Sequence, residues 1–384
     1  MHVGILSYPM LFQRDGQVQQ QVRATIHALK QLREQAGQPL MVSLIAPNHC
    51  RMADYDLIHV FSATHGNVRF VEEAAEQGVP VVLTPLIAAG WSQATGRDAR
   101  TGAPGLDSRS GWNVQTAYAQ TRRALQLASL VVALGEAEEQ AIAAGFLVPQ
   151  AKLRVFPNGI SAHYFAASAE LFRLRTGISG PFALMAGAMP PCAEPTAIAQ
   201  TLGALGLPLV LAGEARQRDQ ADLRALRELR AAPGVTCLGG LTQDSAMLAS
   251  AYAAAAVLLL PGAVARSAQQ AREALACGTP VLMTAHTALC VPGSDGALAR
   301  VRWDDSEAQQ RAIARLLGGG AAAVAGQASV ALACGAARER VRALVRGYAW
   351  PRLAQRIGAC YAQVLEARRR IEHDLHIAQA FLAR

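Results

Sequence analysis

The sequence predicts an α/β protein built from two doubly wound parallel-sheet domains, and three observations predict it. Short apolar segments alternate with longer amphipathic ones along most of the chain, the pattern of strands joined by crossover helices. At 384 residues the chain exceeds one typical core, and a prior of about 150 residues per domain gives two or three. Alanine is abundant and aromatics are sparse, which favours helices packed on sheets.

Taken in order, residues 3–7 read as a first strand, and a loop containing Asp15 and Gly16 leads into a helix over Val18–Gln35. In that helix Val22, Ile26, Leu29 and Leu32 recur at helical spacing, so one face packs on a sheet. Strands follow at Met41–Ala46 and Leu57–Phe61, then a helix at Asn67–Gln77 ended by Gly78, then a strand at Val79–Thr84. Residues 87–112 are rich in Gly, Ser, Thr, Ala and Asp without periodicity and read as a long loop or lid. A helix over Val114–Ala128, a strand at Leu130–Leu134, a helix at Glu136–Ala144 stopped by Gly145 and a strand at Leu153–Phe156 complete the first domain, which ends at Pro157-Asn158-Gly159. Residues Ile160–Ser179, with polar turns, read as the interdomain linker and the entry to the second domain.

The second half repeats the alternation. Strands are expected at Phe182–Ala186, Pro208–Ala212 and Val235–Leu238, with helices at Pro195–Leu205, Gln220–Ala231 and Ser245–Ala254. The stretch Val257–Thr284 is a βαβ unit: an apolar strand, a loop opened by Pro261-Gly262, a helix capped by Ser267 and stopped by Gly278, and a strand at Val281–Met283. Loops at the carboxyl ends of such strands face ligand crevices, and the first helical turn carries unpaired N–H groups suited to an anion such as a phosphate. After Trp303, with Asp304-Asp305 as cap, helices are expected over Glu307–Leu317, Ala322–Tyr348 and Trp350 to about Leu382.

Composition narrows the function class. With 52% hydrophobic and 17% charged residues the chain is globular, not disordered. No apolar run approaches the roughly 18 residues that span a bilayer, and no secretory signal precedes the first strand, so a cytoplasmic location is the expectation. The seven cysteines are scattered and never form Cys-x-x-Cys, which argues for reduced, mostly buried thiols and against zinc. His49, His163 and His286 have no second ligand at metal spacing, so no metal site is expected. The net charge of +8 suits an anionic ligand, an anionic membrane surface or nucleic acid without choosing among them. Arg368-Arg369-Arg370 on the last helix is ordinarily a solvated face, and it leaves a peripheral place at the inner membrane face open. No Gly-x-Gly-x-x-Gly, phosphate-binding Walker loop or Gly-x-Ser-x-Gly elbow is present, so generic dinucleotide, nucleotide-hydrolysing and serine-hydrolase readings lose ground.

Four passages, in order and spacing, resemble the retaining glycosyltransferases of family 4. They are Val155-Phe-Pro-Asn-Gly-Ile160 with Phe165; Leu207-Pro-Leu-Val-Leu-Ala-Gly213; Val235-Thr-Cys-Leu-Gly239 followed by Ala251–Val257; and Glu273-Ala-Leu-Ala-Cys-Gly-Thr-Pro-Val281. Tyr348-Ala-Trp350 with Tyr361 is similar to the family's closing segment. The resemblance implies the GT-B fold, two Rossmann-like domains facing across a cleft: an acceptor domain over 1–160, a nucleotide-sugar domain over 161–347, and a closing helix over 348–384 that crosses back to the first domain. It also implies a nucleotide-diphosphate sugar as co-substrate, retention of configuration, and neither metal nor cofactor.

By the same resemblance Glu273 matches the second of two donor-site glutamates and takes the ribose hydroxyls, since a carboxylate accepts two hydrogen bonds at once. The first glutamate's place holds Ala265, and Arg266, Ser267 and Ala268 replace the small glycines after it. Gly187 opens the passage where an Arg and a Lys meet the diphosphate, yet Ala188 and Ala193 stand at those two places. Losing both cations removes charge-assisted hydrogen bonds of about 1.5–3 kcal/mol each. Arg266, before the phosphate-facing helix, is the candidate substitute, with Arg216 and Arg218 beyond the Gly213-Glu214 turn as others. The first domain offers Asp15-Gly16 in place of a glycine-rich loop, and His65 and Asn67 after the third strand, as acceptor or phosphate contacts. Three functions follow: transfer of a sugar to a glycan, lipid-linked sugar, protein or modified nucleic acid; a catalytically degenerate relative acting as a binding or complex-forming subunit, motivated by Ala188, Ala193 and Ala265; and, as the weaker option, the same fold using another phosphorylated ligand.

Overall fold

The computed structural model describes residues 1–7, 17–36, 39–46, 51–63, 66–87, 117–186, 195–213, 227–242, 244–262, 267–285, 287, 289–318 and 335–382. The chain divides into two units, Met1–Gly159 together with Trp350–Arg384, and Ile160–Ala349.

Unit 1 holds strands β1 (His2–Leu6), β2 (Met41–Leu44), β3 (Leu57–Phe61), β4 (Val81–Thr84), β5 (Leu130–Ala133) and β6 (Leu153–Val155). They form one sheet in the order β2-β1-β3-β4-β5-β6, with parallel pairing at every step. Strands β3, β4 and β5 are buried along their whole length, as expected where helices cover both faces of a parallel sheet. On one face lie α1 (Gln17–Ala36) and the last helix of the chain, here α12 (Trp350–Leu382). Val22, Leu29 and Leu32 of α1 share a core there with Leu353, Ile357 and Tyr361 of α12 and with Leu57 and Phe61 of β3. The other face is covered by α2 (Asn67–Glu76), α3 (Ala117–Leu127) and α4 (Glu136–Phe146), through Val68, Val71, Ala124, Leu125 and Ile142.

Gly145 does not stop α4, contrary to expectation. The helix continues to Phe146, whose ring is buried and stacks on Tyr118 at 5.0 Å, and it ends instead at Leu147 in the left-handed region with φ 56°. Burying Phe146 outweighs the helix penalty of one glycine, about 1 kcal/mol. The expected loop or lid over 87–112 lies outside the described residues except for Ile87.

Unit 2 begins with α5 (Ala162–Phe165) and α6 (Glu170–Thr176), so Ile160–Ser179 is the entry to the second unit, as expected, but it is packed into that unit and is not a separate linker. Its apolar residues Ile160, Tyr164 and Phe172 are buried in the unit's own core, which its polar turns conceal in the sequence. Strands β7 (Ala183–Ala186), β8 (Leu209–Ala212), β9 (Val235–Leu238), β10 (Val257–Leu260), β11 (Val281–Thr284) and β12 (Leu298–Val301) form a second parallel sheet in the order β12-β11-β10-β7-β8-β9. Strand β12 is absent from the sequence reading because its four residues include the exposed Arg300 and lack a long apolar run. Helices α7 (Pro195–Ala204) and α10 (Ser306–Leu316) pack on one face; α8 (Ala246–Ala254), α9 (Ser267–Ala276) and α11 (Gly335–Ala343) lie with α5 and α6 on the other. Ser245 caps α8 by accepting from the Leu248 N–H at 3.1 Å, and Asp305 caps α10 by accepting from the Ala308 N–H at 2.8 Å. Of the helix expected over Gln220–Ala231 only 227–231 is described, and of that over Ala322–Tyr348 the described part is α11 plus a short 3-10 turn at Arg346–Tyr348.

Candidate functional site

In a doubly wound sheet, neighbouring strands whose connections run in opposite directions leave a crevice at their carboxyl ends. In unit 2 that point lies between β7 and β10. Helix α9 enters from β10 beside it. Gln270 donates from Nε2 to the Ala186 carbonyl at 2.9 Å, which ties the first turn of α9 to the carboxyl end of β7. Ser267 is the first residue of α9 and not its cap: its hydroxyl donates to the Gly262 carbonyl at 2.9 Å and is almost fully buried, so it braces the turn after β10. Ala268 is half-buried and packs against the core. Gly213 sits directly after β8, half-exposed. Thr284 at the end of β11 accepts a 2.9 Å bond from the Trp303 indole N–H.

Glu273 lies one turn further along α9 at 5% exposure, and its Oε1 accepts from Gln269 Nε2 at 3.0 Å. Tyr164 lies close enough that burial, and after it the Glu273 carboxylate, push its phenol pKa well up. The same two causes raise the Cys277 thiol and leave it inert. Next to Glu273 in sequence, Arg272 is also buried and stands 5.4 Å over the Tyr348 ring. The glutamate is therefore part of a packed polar cluster.

In unit 1 the corresponding reversal lies between β1 and β3. Asn67 was expected to offer a contact to ligand. It is fully buried instead, and its Nδ2 donates to the Phe61 and Ser62 carbonyls at 3.0 and 2.9 Å. Ser62 sits in the left-handed region with φ 80°, a strained backbone for serine, and the Asn67 bracket helps hold it there. An amide supplies two donors in a fixed plane, which suits this turn better than it suits a mobile ligand.

Two further buried polar groups belong to unit 1, one within the sheet and one at the carboxyl ends of β4 and β5. His59, in the middle of β3, is buried between Tyr361 of α12 (Nδ1 to hydroxyl, 2.6 Å) and Thr84 of β4 (Nε2 to Oγ1, 2.8 Å), and burial lowers its pKa to about 3, so it is neutral. Glu138 on α4 accepts from the Ile87 and Leu134 N–H groups, both at 2.7 Å, which joins the loops after β4 and β5. Burial pushes its pKa up to about 7, while those backbone donors pull the other way. A polar residue inside the apolar run Leu-Ile-His-Val-Phe was the one sequence signal for His59; nothing in the sequence marked Glu138.

Asp15, Gly16, His65, Gly187, Glu214 and Arg266 lie outside the described residues, as do Ala188, Ala193, Ala265, Arg216, Arg218, His49 and His286. His163 lies 3.5 Å from Asp244. No group of three potential metal ligands gathers among the described residues. Of the four described cysteines, Cys277 and Cys360 are buried while Cys237 and Cys290 are exposed, and all four are free thiols. No helix among the described residues is long and apolar enough to cross a membrane.

A family model described as a glycosyl transferase 4-like domain matches residues 5–159, and one described as glycosyl transferases group 1 matches residues 194–318. No curated protein matches the sequence. Among solved structures, sucrose-phosphate synthase from Thermosynechococcus elongatus is similar at 19% identity and a TM-score of 0.63, over 96% of this chain and all of that one (100%). A glycosyltransferase from Rickettsia africae is similar at 13% identity and a TM-score of 0.62, over 95% of this chain and 98% of that one. HepE of Anabaena, solved in complex with UDP, is similar at 16% identity and a TM-score of 0.61, over 94% of this chain and 100% of that one. These likenesses carry the fold, and the two family models carry the class. The chain is an enzyme of the family-4 glycosyltransferases, with the GT-B fold.

Proposed function

We propose that this glycosyltransferase takes a nucleoside diphosphate sugar as donor and passes the sugar to an acceptor hydroxyl with retention of configuration, without metal or cofactor. The observation that carries the donor site is the bond from Gln270 to the Ala186 carbonyl, which brings the first turn of α9 to the crevice between β7 and β10. Helix N–H groups at such a point suit a diphosphate. In this reading Glu273 releases Gln269 and accepts the ribose hydroxyls. Arg266, together with the backbone around Gly187, Gly213-Glu214 and Ser267-Ala268, stabilises the charge that grows on the departing diphosphate. The acceptor belongs to unit 1, with Asp15-Gly16 and His65 as contacts and Asn67 bracing the backbone that follows β3. Glycans, lipid-linked sugars, proteins and nucleic acid are the acceptor classes, and a cytoplasmic location goes with a nucleotide-sugar donor.

HepE binds UDP and UDP-glucose, so uridine diphosphate sugars are the first donors to test. Thermal shift with UDP, GDP, dTDP and CMP sugars should show stabilisation by one nucleotide, lost in Glu273→Ala. Release of nucleoside diphosphate from that donor should fall at least tenfold in Arg266→Ala. A protein that responds to none of the four lacks this donor site and is better read as a binding subunit.

A further inference from the structure

The distal part of α12 carries a surface that nothing in the donor or acceptor reading uses. From Glu366 to Gln379 the helix is exposed apart from the half-buried Arg368, yet it presents Ile371 at 61%, Leu375 at 57% and Ile377 at 53% exposure. Ile371, Leu375 and Ala378 continue, at spacings of four and three, the stripe by which Ile357, Tyr361 and Val364 pack on unit 1. Where that stripe leaves the body of the unit, a groove of about 680 Å³ opens beside it. Val79 and Pro80 before β4 and Leu127 and Leu130 near the start of β5 form one wall; Ala367 and Ile371 of α12 belong to the other. It lies at the amino ends of β4 and β5, the opposite end of the sheet from the strand termini that carry Thr84 and Leu134.

We infer that a second copy of this chain fills the groove, with the two α12 helices packed antiparallel about a two-fold axis beside Ile371. The charges of the segment select this occupant. Glu366, Glu372 and Asp374 balance Arg368, Arg369 and Arg370, so the exposed segment is neutral overall with histidine uncharged. Two of the three arginines are already engaged, Arg368 with Glu372 at 2.6 Å and Arg370 with Glu366. An anionic membrane has little net charge to attract there. The basic block precedes the acidic pair, so an antiparallel copy is self-complementary. With the axis at Ile371, residues equally far on either side meet. Asp374 of one helix reaches Arg368 of the other, Leu375 falls on Ala367, and Ala378 falls on Val364. The small side chain of Ala367 leaves room for Leu375 in the groove, and the exchange is reciprocal.

Sedimentation velocity on the full chain tests this directly. The wild type should sediment as a dimer at tens of micromolar, and Leu375→Asp as a monomer with an unchanged circular dichroism spectrum, because Leu375 is exposed in the single chain. Arg368→Asp should also be monomeric, and adding Asp374→Arg should restore the dimer. Ile371→Cys should crosslink to itself on mild oxidation more than the parent chain does, which decides the matter if an aspartate variant fails to fold. A wild type that stays monomeric, a dimer indifferent to Leu375→Asp, or a monomer that binds phosphatidylglycerol vesicles through Leu375 each overturns the inference.

Discussion

Acidification provides a direct test of the buried His59. Its imidazole is flanked by the Tyr361 hydroxyl and Thr84 Oγ1 and stacked on Phe61 at 4.3 Å, with burial holding the folded-state pKa at about 3 against 6.5 for a free histidine. The folded chain thus binds fewer protons than the unfolded chain between these values, and stability present above pH 6.5 is lost as the pH falls toward 3. One pKa unit is worth about 1.4 kcal/mol, so between pH 7 and pH 5 this site alone withdraws about 2 kcal/mol. Gln in place of His59 keeps a donor and an acceptor but no titration. Urea unfolding at pH 7 and pH 5 should show wild type losing about 2 kcal/mol relative to His59→Gln. The His59 ring resonance should stay neutral down to pH 4. Equal pH slopes in the two proteins, or a His59 resonance titrating near 6, would refute the assignment of a neutral, desolvated imidazole.

Glu138 acts in the opposite sense: its folded-state pKa of about 7 exceeds the free value of 4.5, so its contribution is fully present below 4.5 and lost as the pH rises through 7. Glu138→Gln turns an N–H donor toward the Ile87 or Leu134 N–H and should cost about 1–3 kcal/mol in chemical unfolding at pH 5, with a smaller loss at pH 8. A Cβ at Gly159 would collide with the Trp350 indole ring, so Gly159→Ala should lower unit 1 stability by about 1–3 kcal/mol and raise hydrogen exchange at the start of α12. At Gly278, φ is +82° and a Cβ would meet Arg338 Cβ at 2.8 Å; Gly278→Ala should cost at least about 1 kcal/mol, read as a lower melting temperature, through backbone strain and displacement of α11.

Much of the architecture was legible because its signals are local. Apolar runs such as Val257–Leu260 and Val81–Thr84 can be read as strands from their own residues, and the alternation with helices implies parallel pairing and crossovers. The βαβ unit from Val257 to Thr284 was readable for this reason, as was the α1 stripe of Val22, Leu29 and Leu32. Periodicity says nothing about partners distant in sequence. Whether Ile160–Ser179 is linker or core depends on Phe172 meeting Phe182, whose rings stack at 5.3 Å, and polar turns hid that. Asn67 and Ser267 carried side chains that suit ligands and turns equally well, and only their hydrogen bonds to Phe61, Ser62 and Gly262 decide between the two.

By itself the sequence determined the α/β class, the two doubly wound halves and the family, because strand and helix patterning and short motifs are written in neighbouring residues. Tertiary structure alone decided that Tyr361 clasps His59 across 302 positions of sequence, that Glu138 ties two strand ends, and that Glu273 stands almost buried against Gln269. Desolvation and hydrogen-bond partners set the charge and availability of such groups, and both arise from residues that meet only when the sheet is complete.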